Sequence, residues 1–337
     1  MGIIGDQKPA TPSPPGSAPL PEPVPPVLPG TDPLEHAVGK YVRAAKADNS
    51  LLAYRKQWAA FAAWCTTRGV CELPAAPETL ALYLAASADA ELSAATLALA
   101  KAAITKEHEK AGHTSPCASP LVKTTWDGIR RRIGVAPKQK QPLDAHDLRR
   151  MYAELPAGTA GLRDRALIGL GFAGGFRRSE LVALDVSDLS FVSAGLEAVV
   201  RRSKTDQHGK GLTKNIARGN DPSTCVVSAV RDWLELAGIG EGPVFRPINR
   251  HGRISDKRLS DYAVAVILKR TAKAAGLSVR DLSGHSLRAG FVTESKKHGA
   301  DDAAIMDQTG HKSLAMVQRY HRRARKWEKP ASAKLGL

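Results

Sequence analysis

A heptapeptide, Ala136-Pro137-Lys138-Gln139-Lys140-Gln141-Pro142, divides this chain of 337 residues. It is polar and basic, with a proline near each end. Proline fixes φ and has no amide hydrogen to give, so neither a helix nor a central strand runs through such a stretch. Residues 136–142 therefore read as a linker between two domains, each long enough to bury its own core. A second boundary lies upstream. Half of the chain's 22 prolines fall within residues 1–33, in runs such as Pro21-Glu22-Pro23-Val24-Pro25-Pro26. Residues 1–32 are expected to form an extended, disordered tail. A ligand for a proline-binding domain is the alternative.

The segment 33–135 is patterned for helices. Asp32-Pro33 reads as an N-cap followed by proline in the first turn. Helical patterns cover about 33–47, 50–69, 77–89, 93–112 and 119–133, and Gly134 ends the module. In the second, Leu51, Tyr54, Trp58, Phe61 and Cys65 recur at steps of three and four, which makes one apolar stripe. Tyr54 and Trp58 could stack on bases, but that spacing makes them core residues first. Lys101, Lys106 and Lys110 on the fourth helix, with Arg130, Arg131 and Arg132 on the fifth, could line a phosphate-facing surface. A solvated face is the alternative.

Residues 143–330 carry a different pattern. Asp144 caps a helix reaching about Glu154, and an apolar helix follows over 161–173. Gly174-Gly175 ends it, and Ser179-Glu180-Leu181 opens the next. Residues 196–201 alternate like a strand. A glycine-containing turn with Lys204 at its tip leads to a return strand over 212–218. Helices are expected at about 223–237, 257–275, 285–298, 301–308 and 312–326, before a short tail over 331–337. The fold class is thus mainly α: a helical domain plus an α-rich domain with a small antiparallel β-sheet.

Charge narrows the partners. The chain carries 49 Lys and Arg against 33 Asp and Glu, a net charge of +16. That surplus favours a polyanion, and nucleic acid is the expected one. The four cysteines (Cys65, Cys71, Cys117, Cys225) form no CxxC pair, and no histidines stand at finger-like spacing, so no metal site is expected. Free thiols in a reducing cytoplasm are the simplest reading. There is no run of about 18 apolar residues to span a membrane. The start lacks the regions of a signal peptide, and Asp6 stands where myristoylation wants Ser or Thr.

Six residues suggest a reaction: Arg177, Lys204, His285, Arg288, His311 and Tyr320. When a nucleophile attacks a phosphodiester, charge spreads over the non-bridging oxygens, and two arginines can clamp these in bidentate fashion. Tyr320 can supply the attacking oxygen. Its free pKa near 10 makes it a poor nucleophile without a base or a cationic field, and His285 could take its proton. Lys204 could protonate the leaving 5′ oxygen, and His311 could donate a hydrogen bond to the phosphate. No carboxylate cluster for Mg²⁺ is evident or needed.

The order Arg … Lys … His-x-x-Arg … Gly-His … Tyr resembles the tyrosine recombinase, or phage integrase, family. Gly175-Phe176-Arg177-Arg178-Ser179-Glu180-Leu181 is similar to the family's first arginine motif, with Glu180 as its acidic residue. His285-Ser286-Leu287-Arg288 resembles its His-x-x-Arg box, Gly310-His311 with Tyr320 its closing motif, and Lys204 its hairpin lysine. His146-Asp147-Leu148-Arg149 also fits His-x-x-Arg, but it precedes the first arginine motif, where the family's order forbids it. The resemblance covers about 143–326, and the module before it is similar to the family's core-binding (SAM-like) domain.

The resemblance implies a Cre/Xer-like site-specific recombinase, needing no cofactor, metal or ATP. It would form a 3′-phosphotyrosyl link through Tyr320 and release a 5′ hydroxyl. Its partner would be double-stranded DNA with a specific recombination site, gripped as a homotetramer on two sites, with room for accessory DNA-bending factors and no role for a membrane. After Tyr320, Arg322 and Arg323 could hold phosphates. Two other readings stay open: type IB topoisomerase-like relaxation by the same tyrosine chemistry, and a DNA-binding protein without catalysis.

Overall fold

The computed structural model describes residues 48–135, 142–203, 206, 211–280 and 282–318. The proline-rich tail, the helix expected over 33–47, linker residues 136–141 and the C-terminal tail lie outside them. So do Lys204, Tyr320, Arg322 and Arg323. The chain divides into two units, Met1–Pro137 and Lys138–Leu337.

The described part of the first unit is helical: α1 (Asp48–Arg68), α2 (Pro77–Asp89), α3 (Ala94–Lys110) and α4 (Pro120–Ile133). The Ser93 hydroxyl accepts from the Thr96 amide and caps α3. Pro77 and Pro120 stand in the first turns of α2 and α4, where no amide hydrogen is needed. The stripe on α1 points inward as its spacing requires. Phe61 and Cys65 are fully buried, and Trp58 packs against their cluster with Leu80, Leu84, Leu97, Ile104, Val122 and Ile129. Tyr83 meets Phe61 edge-on at 5.0 Å between ring centroids.

One polar side chain lies inside this core. His108 is fully buried; its Nδ1 donates to the Ile104 carbonyl at 2.8 Å, and its Nε2 accepts from the Ala75 amide at 2.9 Å. The carbonyl can only accept and the amide can only donate, so the neutral Nδ1–H tautomer is fixed. His108→Leu leaves the Ala75 amide buried and unpaired. The expected cost is about 1–3 kcal/mol of unfolding free energy, read as a lower midpoint in urea at unchanged slope.

The second unit is mixed. Its helices are α5 (Ala145–Ala153), α6 (Thr159–Ala173), α7 (Arg178–Ala183), α8 (Val226–Leu236), α9 (Asp261–Ala274), α10 (His285–Lys297) and α11 (Asp302–Thr309), and residues 314–318 begin a further helical stretch. A three-stranded antiparallel sheet runs in the order β1 (Leu189–Val192), β2 (Gly195–Val200), β3 (Leu212–Ala217). Asp144 caps α5 by accepting from the Asp147 amide at 2.7 Å. His146, in the out-of-order His-x-x-Arg, is exposed on that helix.

The strand β1 adds to the expected hairpin. Helix starts move by a few residues: α8 begins at Val226 instead of about 223, and α9 at Asp261 instead of about 257, where the Ser260 hydroxyl accepts from the Ala263 amide. The core gathers around α6, which packs against α8 and α10. Leu196, Ala198 and Val200 of β2 face this core, and β3 presents Ile216 and Lys214 to the same side. In register, Lys214 stands opposite Ala198 and Ile216 opposite Leu196.

Candidate active site

Four of the six candidate residues lie in the described part of the second unit, and three chain breaks in helicity position them. The first is the junction between α6 and α7. Gly174 caps α6, and Gly175 turns the chain at φ 56°, a left-handed conformation that costs glycine little. Arg177 then occupies the N-cap of α7. Glu180, 3% exposed, holds it twice: its carboxylate accepts from the Arg177 amide at 2.9 Å and pairs with the guanidinium. A buried carboxylate on one edge of the guanidinium fixes its plane for an anion at the other.

The second break is the start of α10, where His285 is the first residue and Arg288 follows one turn on. His285 is exposed, while Arg288 is 1% exposed and donates from Nη1 to the Gly175 carbonyl at 2.8 Å. That bond joins the His-x-x-Arg segment to the loop carrying Arg177. The third break is Gly310, which ends α11 in the left-handed region at φ 67°. It brings in His311, 6% exposed. A side chain at Gly175 would press on Phe291 and Thr309, so the first junction touches both others.

The electrostatics are one-sided. His285 is exposed by surface area, yet the protein around its ring strips away part of its hydration, and this desolvation, followed by Arg288, Arg177 and Arg178, holds its pKa below the ordinary value. Burial again comes first for His311, followed by Arg288, Arg177, His285 and Lys214, which together push its pKa down to about 3. Both imidazoles are therefore neutral near pH 7, and His285 is able to accept a proton. Glu180 is the carboxylate set against these cations. A surplus of positive charge at a partly buried site suits a phosphate.

Thr309 decides which tautomer His311 adopts. Its hydroxyl donates to the Ile305 carbonyl at 2.5 Å, so its oxygen must accept from His311 Nδ1 at 2.7 Å. In the neutral ring Nε2 then carries the lone pair. A hydrogen bond from Nε2 to phosphate, the role expected for His311, thus requires the ring to take a second proton, which an arriving anion favours.

The low pKa of His311 sets a pH dependence. The unfolded chain takes up a proton near 6.5, the folded one only near 3. Protons thus favour unfolding as pH falls from about 6.5 toward 3, and stability is lost in that window. Thermal melts from pH 7 to 4 should show a smaller loss for His311→Leu than for wild type.

The cations expected on the first unit each have a neighbour or lie exposed. Lys101 Nζ sits 4.7 Å over the Trp126 ring of α4, and burial lowers its pKa. Lys106 Nζ sits 5.1 Å over Tyr54 of α1. Lys110 pairs with Glu107, Arg130 with Asp127, and Arg132 with Asp89, each at 3.6 Å, and Arg131 is exposed. The lysines of α3 thus turn toward different neighbours. Gln308 and Thr309 receive no role from the sequence alone, and Lys214, with Lys210, reads there only as a solvated hairpin lysine near Lys204. Lys214 had a signal: in Leu212-Thr213-Lys214-Asn215-Ile216 it alternates in phase with the inward residues.

A helical protein with a small antiparallel sheet, two arginines and two neutral histidines converging on one cationic site has the makings of a phosphodiester-handling enzyme. Comparison supplies the particular family. The model described as "Phage integrase family" matches residues 141–326. The "Integrase/recombinase xerD homolog" of Selenomonas ruminantium is 41% identical over 281 residues, covering 82% of each chain. "Tyrosine recombinase XerD" of Caulobacter vibrioides is 29% identical over 294 residues, 83% of this chain and 87% of that one. Among solved structures, a lambda integrase tetramer bound to a Holliday junction superposes with a TM-score of 0.56 at 18% identity, covering 85% of this chain and 76% of that one. This chain belongs to the phage integrase family of tyrosine recombinases, and it is a site-specific recombinase that cleaves and rejoins DNA. Among the described residues, no helix is long and apolar enough to cross a membrane.

Proposed function

We propose that the chain recombines specific duplex sites through a covalent link between Tyr320 and a DNA 3′ phosphate. Arg177 and Arg288 clamp the non-bridging oxygens of the scissile phosphate. His285 accepts the proton of the Tyr320 hydroxyl as its oxygen attacks phosphorus. The bond to the 5′ oxygen breaks, and Lys204 protonates that oxygen. A partner strand's 5′ hydroxyl then attacks the phosphotyrosine and restores the tyrosine. One phosphodiester is exchanged for another, so the cycle needs no ATP. His311 takes up a proton as the phosphate arrives and then donates to it from Nε2, and Glu180 fixes Arg177. The observation that carries this reading is the convergence of Arg177, Arg288, His285 and His311, with both imidazoles neutral beside both guanidiniums.

Residues 33–135 are assigned to a core-binding DNA module, residues 143–330 to the catalytic domain, and 136–142 to the linker between them. Lys101, Lys106 and Lys110, with Arg130, Arg131 and Arg132, are the module's candidates for phosphate contact, and Arg322 and Arg323 those beyond the nucleophile. The working form is a homotetramer on two DNA sites, a reading supported by the lambda integrase tetramer bound to a Holliday junction, and it acts in the cytoplasm with accessory DNA-bending factors as helpers.

Mixing two differently marked duplexes that share the cognate site tests the reading against DNA relaxation. Recombinant products carrying one mark from each duplex are expected; relaxation of supercoiled DNA without exchange would favour the topoisomerase-like alternative. Site binding should also weaken steeply with salt, by about 10³–10⁵ between 50 and 200 mM if six to ten phosphates are contacted. A salt-independent affinity measured by anisotropy would contradict a phosphate-dominated grip.

A further inference from the structure

A lysine at an inward strand position is a local contradiction. Lys214 is completely buried on the core side of β3, between Leu212 and Ile216. Burying an ammonium is costly unless it is paired, and an apolar residue of similar length would fill the same space without that cost. Its surroundings show what the charge is used for. Nζ donates to the Gly174 carbonyl at 3.0 Å and to the Gln308 carbonyl at 2.5 Å, and it lies 4.8 Å over the Phe176 ring. Gly174 caps α6, and Gln308 is the penultimate residue of α11. Both carbonyls belong to helix C-termini, where the backbone dipoles carry partial negative charge and favour a cation.

The spacing along the chain is what matters. Arg177 comes three residues after Gly174, and His311 three residues after Gln308. The Gln308 side chain adds a second tie to the same strand: its Oε1 accepts from the Asn215 amide at 3.2 Å, and its Nε2 donates to the Asn215 carbonyl at 3.1 Å. The strand therefore grips the end of α11 at two adjacent residues and the end of α6 at one.

We propose that Lys214 is a positioning residue for DNA cleavage, its ammonium fastening the loop that carries Arg177 and the loop that carries His311 to one strand. It touches no reacting atom, being enclosed by two carbonyls and an aromatic face. The inference rests on the assignment of Arg177 and His311 to the scissile phosphate. Burial lowers the Lys214 pKa to about 7, with Arg288 and Arg177 acting in the same direction and Glu180 opposing them; His311 faces it as well. The ammonium is thus present below pH 7 and is lost as pH rises through 7, so the brace weakens on the alkaline side.

The test is single-turnover formation of the protein–DNA adduct on a nicked suicide duplex, with site affinity measured in parallel. Lys214→Met should slow adduct formation by about 10–100-fold, the penalty of misplaced catalytic groups, while the dissociation constant for the site stays within about threefold of wild type. The ratio of wild-type to Lys214→Met rates should shrink from pH 6 to pH 9, as wild type loses its own charge. A folded Lys214→Met that reacts at the wild-type rate, or a ratio constant with pH, overturns the proposal. If melting shows that Lys214→Met does not fold, Lys214→Gln decides: its shorter, uncharged amide should make adduct formation about fivefold slower or more, and an unchanged rate overturns the brace. Tyr320→Phe is run beside them. An adduct that persists there defeats the underlying site assignment, whereas an adduct dependent on Tyr320 but indifferent to Lys214 defeats the brace alone.

Discussion

Arg288→Ala should slow covalent adduct formation by about 10²–10³-fold, equivalent to on the order of 3–4 kcal/mol, while binding of the DNA site is largely retained. The guanidinium is built in, not merely nearby. It is 1% exposed and anchored by Nη1 to the Gly175 carbonyl, in the loop that leads to Arg177. Charge develops on the phosphate oxygens only as the tyrosine attacks, so the loss falls on the chemical step and not on affinity, which many other phosphate contacts share. A second readout is independent of DNA. Arg288 is the foremost charge holding both His285 and His311 below the ordinary histidine pKa. In the alanine variant both imidazoles should titrate at higher pH, visible in their NMR chemical shifts. Adduct formation at the wild-type rate would remove Arg288 from the clamp.

Tyr320→Phe should abolish the adduct altogether and leave a folded protein that still binds its site. A phenyl ring keeps the shape of tyrosine and lacks the one oxygen that can attack phosphorus. Comparing Tyr320→Phe with Arg177→Ala separates two kinds of failure. The first has no nucleophile and gives no adduct at any time. The second retains its nucleophile and gives adduct slowly, since Arg288 still holds one side of the phosphate.

Much of the site was legible because its parts are short motifs in a fixed order. Arg177 with Glu180, His285 with Arg288, and Gly310 with His311 each sit at a helix end, and helix ends announce themselves through glycine, caps and interrupted periodicity. The stripe of α1 was legible for the same reason: its spacing alone dictates one buried face.

What escaped the sequence depends on contacts between elements. The strand β1 is only four residues long and gains its identity from pairing with β2. The start of α9 shifts because one hydroxyl, that of Ser260, closes the helix there. Lys101 and Lys106, five residues apart, stand about 140° from one another around α3, and which ring each one meets, Trp126 or Tyr54, depends on the packing of other helices. Lys214 was hidden by expectation. A lysine beside a turn reads as solvated until the two carbonyls that receive it are in view.

The central claim is that Tyr320 carries the DNA during recombination. The direct measurement is to trap wild-type protein on a nicked suicide duplex, digest the adduct with protease, and locate the nucleotide by mass spectrometry. The account predicts a 3′-phosphoryl nucleotide on the peptide containing Tyr320, at its phenolic oxygen. A nucleotide on any other residue, or a link through a 5′ phosphate, would contradict it.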